Sequence, residues 1–226
     1  MQSASLLHLL QLASPFLPVG AYSYSQGLES AMARGLVHDE RSARVWIVGM
    51  LDEIVARFEA PFTWRLIQAF EARDTEAVAH WTAVFVASRD SAEFRAESVQ
   101  MGYSLTKLIS ELAPDDTALL TLLQAPSEIP FPTALAAATV ALRVPAESAL
   151  LGMLFSWAEN QVLACVKSVP LGQVAGQRLL LSLTEAIETA ALTARTLADD
   201  ELSNWSPGLS LLSMQHEVQY SRLYRS

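Results

Sequence analysis

The sequence predicts an all-α protein: a single globular helical domain of about nine or ten helices. Three observations carry this. Alanine and leucine dominate and outnumber the β-branched residues, which favours helix. Apolar residues recur at helical spacing between cap-like Ser, Asp, Pro and Gly. No stretch alternates apolar and polar residues as a strand would, and no repeat or low-complexity segment is found. With 226 residues, 51 % of them hydrophobic, the chain has ample material for a core.

Leu6–Leu12 reads as a short helix and residues 13–21 as a Pro/Gly loop. Serine leads a helix over 23–34, stopped by Gly35. Asp39 caps a helix carrying Val45, Trp46, Val48, Ile54 and Val55. Pro61 suits the first turn of a further helix to about Ala72, where its missing N–H is not needed. Asp74 caps a helix with Val78, Trp81, Val84 and Phe85. Asp90 followed by Glu93 resembles a capping box opening 91–112, and Pro114 ends that helix. A short helix around 115–124, a loop over 125–132 and helices over 133–142, 146–168 and 173–197 follow. Residues 199–208 form a loop, so the chain divides into a helical domain over 1–208 and a tail over 209–226.

The stretch 156–181, SWAENQVLACVKSVPLGQVAGQRLLL, stands out. Before it, Leu150, Leu151, Met153, Leu154, Phe155 and Trp157 are apolar on all sides, which places this helix in the middle of the domain. Glu159, Asn160, Gln161 and Lys167 then add polar groups without ending the helix. Pro170 and Gly172 break the chain, and Val174, Leu179, Leu180, Leu183 and Ile187 form the next apolar set. Two readings stand: a turn whose amides cap backbone groups, or a surface that a partner reads, with Asn160, Gln161, Lys167, Gln173 and Gln177 as contacts.

Composition excludes several functions. The net charge is −9, Lys107 and Lys167 are the only lysines, and no basic run exists to displace counterions from a nucleic acid. The single cysteine, Cys165, excludes an internal disulfide and a cysteine metal site. His8, His38, His80 and His216 lack ligand spacing. His216 and Glu217 are neighbours, which point apart on a helix. There is no phosphate-binding G-x-x-x-x-G-K-[ST] loop and no G-x-S-x-G elbow. Asp115–Asp116 and Asp199–Asp200–Glu201 sit at predicted breaks and read as caps and solvated loops. The rival reading is an all-α Mg²⁺-dependent enzyme whose Asp115 and Asp199 share one pocket. Residues 1–28 carry no charged side chain, but the positive leader of a signal peptide is missing. The most apolar window, 133–158, is interrupted by Arg143, Pro145 and Glu147. The expectation is a soluble, cytoplasmic protein with no membrane and no nucleic-acid partner.

Two further stretches read as interaction surfaces. SYSQGLE, 23–29, places hydroxyls and an amide at the mouth of the Pro/Gly loop, beside Tyr22 and Tyr24. The tail MQHEVQYSRLYRS, 214–226, carries tyrosine and arginine, which are enriched at binding hot spots. On a helix, Tyr220, Leu223 and Tyr224 would share one face. A tail with Arg222 and Arg225 against Glu217, attached to an acidic body, is built to reach a partner.

LLQLASPFLPVGAYSYSQGLE, RAESVQMG, WAENQVLACVKSVPLGQVAGQRLLLSL and MQHEVQYSRLYRS together resemble the urease accessory protein UreF family. The likeness runs in register from about Leu6 to the C-terminus. It implies an all-α protein without catalytic residues, cofactor or resident metal. It implies a homodimer that binds UreD (UreH in some organisms) and the GTPase UreG, coupling them for GTP-dependent nickel insertion into apo-urease. By motif position, Tyr220, Ser221, Arg222 and Leu223 are tail contacts, with His216, Gln219 and Tyr224 beside them. Tyr22, Ser25, Gln26, Glu29, Lys167, Gln173 and Gln177 are candidates for a UreG-facing or tunnel-lining surface. Pro170 and Gly172 hold the turn. The aromatic at 224 is tyrosine where the family commonly has phenylalanine. A generic all-α adaptor is the alternative.

Overall fold

The structure, a computed structural model, describes residues 3–89, 91–169 and 171–225. Among them are twelve α-helices and no strand: α1 Ser3–Leu12, α2 Leu28–Ala33, α3 Glu40–Met50, α4 Ala60–Glu71, α5 Thr75–Ala87, α6 Ala92–Leu112, α7 Thr117–Gln124, α8 Phe131–Ala141, α9 Ala146–Ser168, α10 Gln173–Leu181, α11 Thr184–Thr196 and α12 Pro207–Glu217. Local chemistry sets most boundaries. Asp39 and Ser42 form a reciprocal capping box at α3. Asp74 accepts from the Ala77 amide at α5, and Asp116 from the Leu119 amide at α7. Each such cap contributes about 1 kcal/mol. Ser91 caps α6 through the Phe94 amide; Asp90, read as that cap, lies outside the described residues, as does Pro170. Gly35, with φ 72°, closes α2. Its N–H donates to Met32 and that of Leu36 to Ala31, the two bonds of a Schellman motif.

The helix count exceeds the nine or ten expected for identifiable reasons. The helix expected over 23–34 begins only at Leu28, because Tyr24 is extended and Gln26 and Gly27 both have positive φ. The helix expected over 173–197 breaks at Ser182–Leu183. There Ser182 Oγ takes the Leu179 carbonyl and Leu183 turns inward to full burial. Pro61 stands in the first turn of α4, as expected, but no loop precedes that helix. α3 and α4 join through Leu51–Glu59 into one rod, with helical dihedrals at both junctions. This joining segment is π-helical, and the Ala60 N–H donates to Val55, five residues back. The wider turn accommodates a proline that would clash inside an α-helix. The Arg57 carbonyl, four residues before Pro61, accepts instead from the Ser203 amide at 3.1 Å.

Two apolar cores lie along this rod. One gathers α2, α3, α9, α10 and α11 around Leu51, Leu150, Leu154 and Leu183; the other gathers α4, α6, α7 and α8 around Phe70, Leu105 and Leu123. The helix buried on all sides is α8, whose residues Pro132–Thr139 are all buried. Its hydroxyls are satisfied: Thr133 bonds Thr82 at 2.9 Å and Thr139 donates to Leu135. By length and composition α9 could cross a membrane, yet it packs against α1, α2, α3, α4, α10 and α11. It is not apolar core throughout, as expected, because Leu151 and Phe155 face outward beside α1. Val174, expected in the core, is also exposed, since α10 is a surface helix with one buried stripe.

Close approach of α6 to the chain entering α8 depends on Gly102. A Cβ there would sit 2.0 Å from the Ile129 carbonyl oxygen, and backbone cannot move aside as a side chain can. Gly102→Ala gains up to ~1 kcal/mol of helix propensity but should lose more to this overlap. The expected net loss is about 1–3 kcal/mol in urea unfolding, the usual range for overpacking.

Candidate functional site: a clamped C-terminal tail

Trp157, Asn160 and Gln161 occupy positions i, i+3 and i+4 of α9 and so share one face. That face reads the extended backbone of the 23–29 block. Asn160 Nδ2 donates to the Tyr24 carbonyl at 3.1 Å and Gln161 Nε2 to that of Ser25 at 3.4 Å. Trp157 Nε1 donates to Gln26 Oε1 at 2.5 Å, while Gln26 Nε2 donates to Glu97 at 2.6 Å. Asn160 and Gln161, read as contacts for a partner, are therefore internal. Gln26 holds φ 54°, a conformation rare outside glycine. Its bonds to α6 and α9 hold it there. Ser25, fully buried, caps the Glu29 amide. Gly27 lies under α12, where a Cβ would meet Leu209 at 2.8 Å.

With α2 so placed, Glu29 in its first turn faces the tail. Its carboxylate accepts from the Leu223 amide at 2.7 Å, the Tyr224 amide at 2.9 Å and His216 Nε2 at 3.0 Å. The other ring nitrogen of His216 lies 2.9 Å from Glu93, in the first turn of α6. Arg222 donates to the second oxygen of Glu93 at 2.8 Å. His216 is 0 % exposed, against 14 % for Glu29 and 11 % for Glu93. Both ring nitrogens face carboxylate oxygens, and only the cation donates from both. Helix ends favour this arrangement: both carboxylates lie at helix N-termini, and His216 is in the last turn of α12. Burial works to raise the Glu29 carboxyl. The Leu223 amide, His216 and the Tyr224 amide outweigh it and hold the group below its ordinary value.

α12 ends at Glu217, so the face expected for Tyr220, Leu223 and Tyr224 on a helix does not form. Ser221 turns at φ 72°, Gln219 meets Ser30, and the Arg225 amide donates to the Ser23 carbonyl. Tyr224 goes inward, 6 % exposed, and burial pushes its phenol up. Tyr220, 97 % exposed, and Leu223, 65 % exposed, go outward. Of the other predicted positions, Tyr22, Lys167, Gly172, Gln173, Gln177, Ser221 and Arg222 are exposed and Gln219 is half-buried. Lys167 and the two glutamines of α10 lie on the α9–α10 elbow, where Cys165 and Ser168, either side of Lys167, adjoin the buried Tyr224 of the tail. A cavity of about 110 Å³ behind Gln26 is lined by Glu59, Arg89, Glu97, Ser156 and Asn160 among apolar side chains. Gln26 and Asn160 are the candidate residues that line it.

Sequence reading passed over the pairing role of Glu93, which looked like a cap residue. Its partner lies 123 positions away, and no local pattern reports that. Among the described residues no three His, Cys, Asp or Glu side chains are grouped to hold a metal ion. Asp116 pairs with Arg73 and Asp199 with Arg65, in caps and turns. Cys165 is buried, and burial pushes its thiol up to about 12.

A helical body whose buried polar groups fix the path of its own terminal segment defines an accessory or docking protein. The family model for UreF matches residues 37–184. Curated relatives named urease accessory protein UreF align over nearly the whole chain. The protein of Janthinobacterium sp. (strain Marseille) is 71 % identical over 226 residues, covering 100 % of both chains. That of Nitrosospira multiformis is 63 % identical, covering 98 % of each, and that of Azoarcus sp. (strain BH72) is 50 % identical over 98 % of this chain and 95 % of its own. The chain belongs to the UreF family.

Because the folded pKa of Glu29 is lowered, its contribution is present above the ordinary carboxylate value near 4.5 and is lost as pH falls through the lower folded value. Protection of the Leu223 and Tyr224 amides, taken relative to their intrinsic exchange rates, should therefore hold at neutral pH and be lost only in stronger acid. Glu29→Gln removes charge-assisted bonds of ~1.5 kcal/mol or more each, so it should speed exchange at those two amides about tenfold or more at pH 7.

Proposed function

We propose that this chain is a non-catalytic scaffold of urease maturation. It acts in the cytoplasm as a homodimer and couples UreD (UreH) to the GTPase UreG during GTP-dependent nickel insertion into apo-urease. The observation that carries the reading is the Glu29 clamp. A terminal segment held by its backbone amides and by an ionic cluster turns Tyr220 and Leu223 outward. Exposed tyrosine and leucine on a fixed frame lose little further freedom on docking, which suits a binding hot spot. In this reading the segment 209–226 is the docking tail of the helical domain 1–208, and Tyr220, Ser221, Arg222 and Leu223 contact UreD. His216, Gln219 and Tyr224 hold the tail, with Ser25, Gln26 and Glu29 beneath it.

The second partner, UreG, is assigned to the elbow side, with Tyr22, Lys167, Gln173 and Gln177 as its contacts. Their exposure supports a second contact surface, which borders the tail where Tyr22 precedes Ser23, the residue whose carbonyl holds Arg225. The membership of the chain in the UreF family supports the urease setting.

Deleting Tyr220–Ser226 should abolish co-purification with UreD while circular dichroism stays near wild type, since α12 ends before the deletion. Undiminished co-purification would remove the tail from the account. Lys167→Ala should alter UreG recruitment or the GTPase rate of the assembled complex, and no change in either would remove Lys167.

A further inference from the structure

α3 and α10 pack side by side, and Arg178 reaches Glu40 while Arg44 Nε donates to Ser182 Oγ. The contacts advance four residues along each helix in the same direction, so the two run parallel. Their outward sides form one continuous face. On α10 it presents Val174 and Leu181, seven residues apart and so on one ridge, at 71 % and 76 % exposure. On α3 it presents Arg41, Arg44 and Val45, beside a shallow groove formed by Leu36, Ser42 and Trp46. Neither ridge is covered by another part of the described chain.

The charge on this face opposes that of the molecule. α3 and α10 hold three basic side chains, Arg41, Arg44 and Arg178, against Glu40, with Asp39 as the α3 cap. The whole chain has 15 basic and 24 acidic residues, so 12 basic and 22 acidic remain elsewhere. A local surplus of cations around exposed valine and leucine, on a chain of net charge −9, is unlike a solvated helix face. Arginine with apolar side chains is the composition of interface cores, and a field of one sign steers a partner of the other. The exposed Arg178–Glu40 pair, at 3.4 Å, is weak and would not prevent Arg178 from turning to a partner.

We propose that the α3–α10 face docks a protein partner through an acidic surface with an apolar centre, separately from the tail. The inference deepens the scaffold reading and rests on it: it gives the elbow-side partner a chemistry and a footprint, centred on Arg41, Arg44, Arg178, Val45, Val174 and Leu181. A nucleic acid would gain little from so few cations amid aliphatic side chains.

The test uses the full chain, co-expressed with UreD and UreG and captured through UreD. Two variants are compared with wild type: Arg41→Glu/Arg44→Glu/Arg178→Glu, and Val174→Ser/Leu181→Ser. All five side chains are exposed, so helicity and Tm should be kept. Both variants should retain UreD and weaken UreG recruitment by at least ~10-fold, as loss of central interface residues does. Raising salt should weaken the contact of the wild type and of the serine variant, and leave the arginine variant's residual binding flatter. Full UreG recruitment by both variants overturns the inference and leaves the scaffold reading standing. Capture of neither protein by the wild-type chain overturns both. Wild-type self-association lost in the arginine variant, seen by sedimentation, would give the face to a second copy. Wild-type binding to phosphatidylserine vesicles lost in that variant would give it to a membrane. Either result overturns the inference.

Discussion

His216, wedged between Glu29 and Glu93, is the contact on which the placement of the functional surface depends. Three helix ends meet there: the acidic N-termini of α2 and α6 and the C-terminus of α12. A fully buried histidine ring is costly unless both its nitrogens are paired, and here both are. Removing either carboxylate would leave the ring with an unanswered donor and free the tail at once, because Glu29 also holds the Leu223 and Tyr224 amides and Glu93 also holds Arg222. The cluster therefore couples the start of α6, the start of α2 and the last residues of the chain. Breaking it would draw Tyr224 out of the first core, leave the second intact and change where Tyr220 and Leu223 point.

Beneath the cluster, strain and its compensation follow the same pattern. Gln26 and Gly27 adopt positive φ so that α2 begins late and aims Glu29 at the tail. The amide face of α9 holds the strained segment in place. Pro61, in the middle of a long rod, is tolerated because the π-turn before it moves the hydrogen-bond register and the Ser203 amide takes the freed Arg57 carbonyl. That bond also anchors the chain leading into α12, so the rod that separates the cores helps to place the tail's helix.

Much of the fold was legible in the residues, because helix caps and breaks act locally. Asp39, Asp74, Asp116 and Gly35 mark their boundaries through bonds to neighbours within five positions. What failed was non-local. Pro61 does mark the first turn of α4, but that α3 runs into it without a loop depends on a partner for Arg57, 146 positions on. Tyr224 reads as an outward tail residue because its burial depends on Glu29, 195 positions back. The candidate site divided in the same way: Tyr22, Lys167, Gln173, Gln177, Tyr220 and Leu223 are exposed as a contact surface requires, whereas Asn160 and Gln161 looked like surface amides and serve the backbone of Tyr24 and Ser25. Residue type shows that a polar group needs a partner, and only the fold decides whether that partner is internal.

The central claim is that the tail, proposed to dock UreD, is already fixed in the isolated chain. Spin labels at cysteines replacing Tyr103, exposed on α6, and Arg225, at the tail's end, test it most directly. Cys165 is buried, with its thiol held up at about 12, and should stay unlabelled. Electron–electron resonance should give one narrow distance in the isolated protein, and the same distance after UreD is added. A broad distribution that narrows only with UreD would contradict the account.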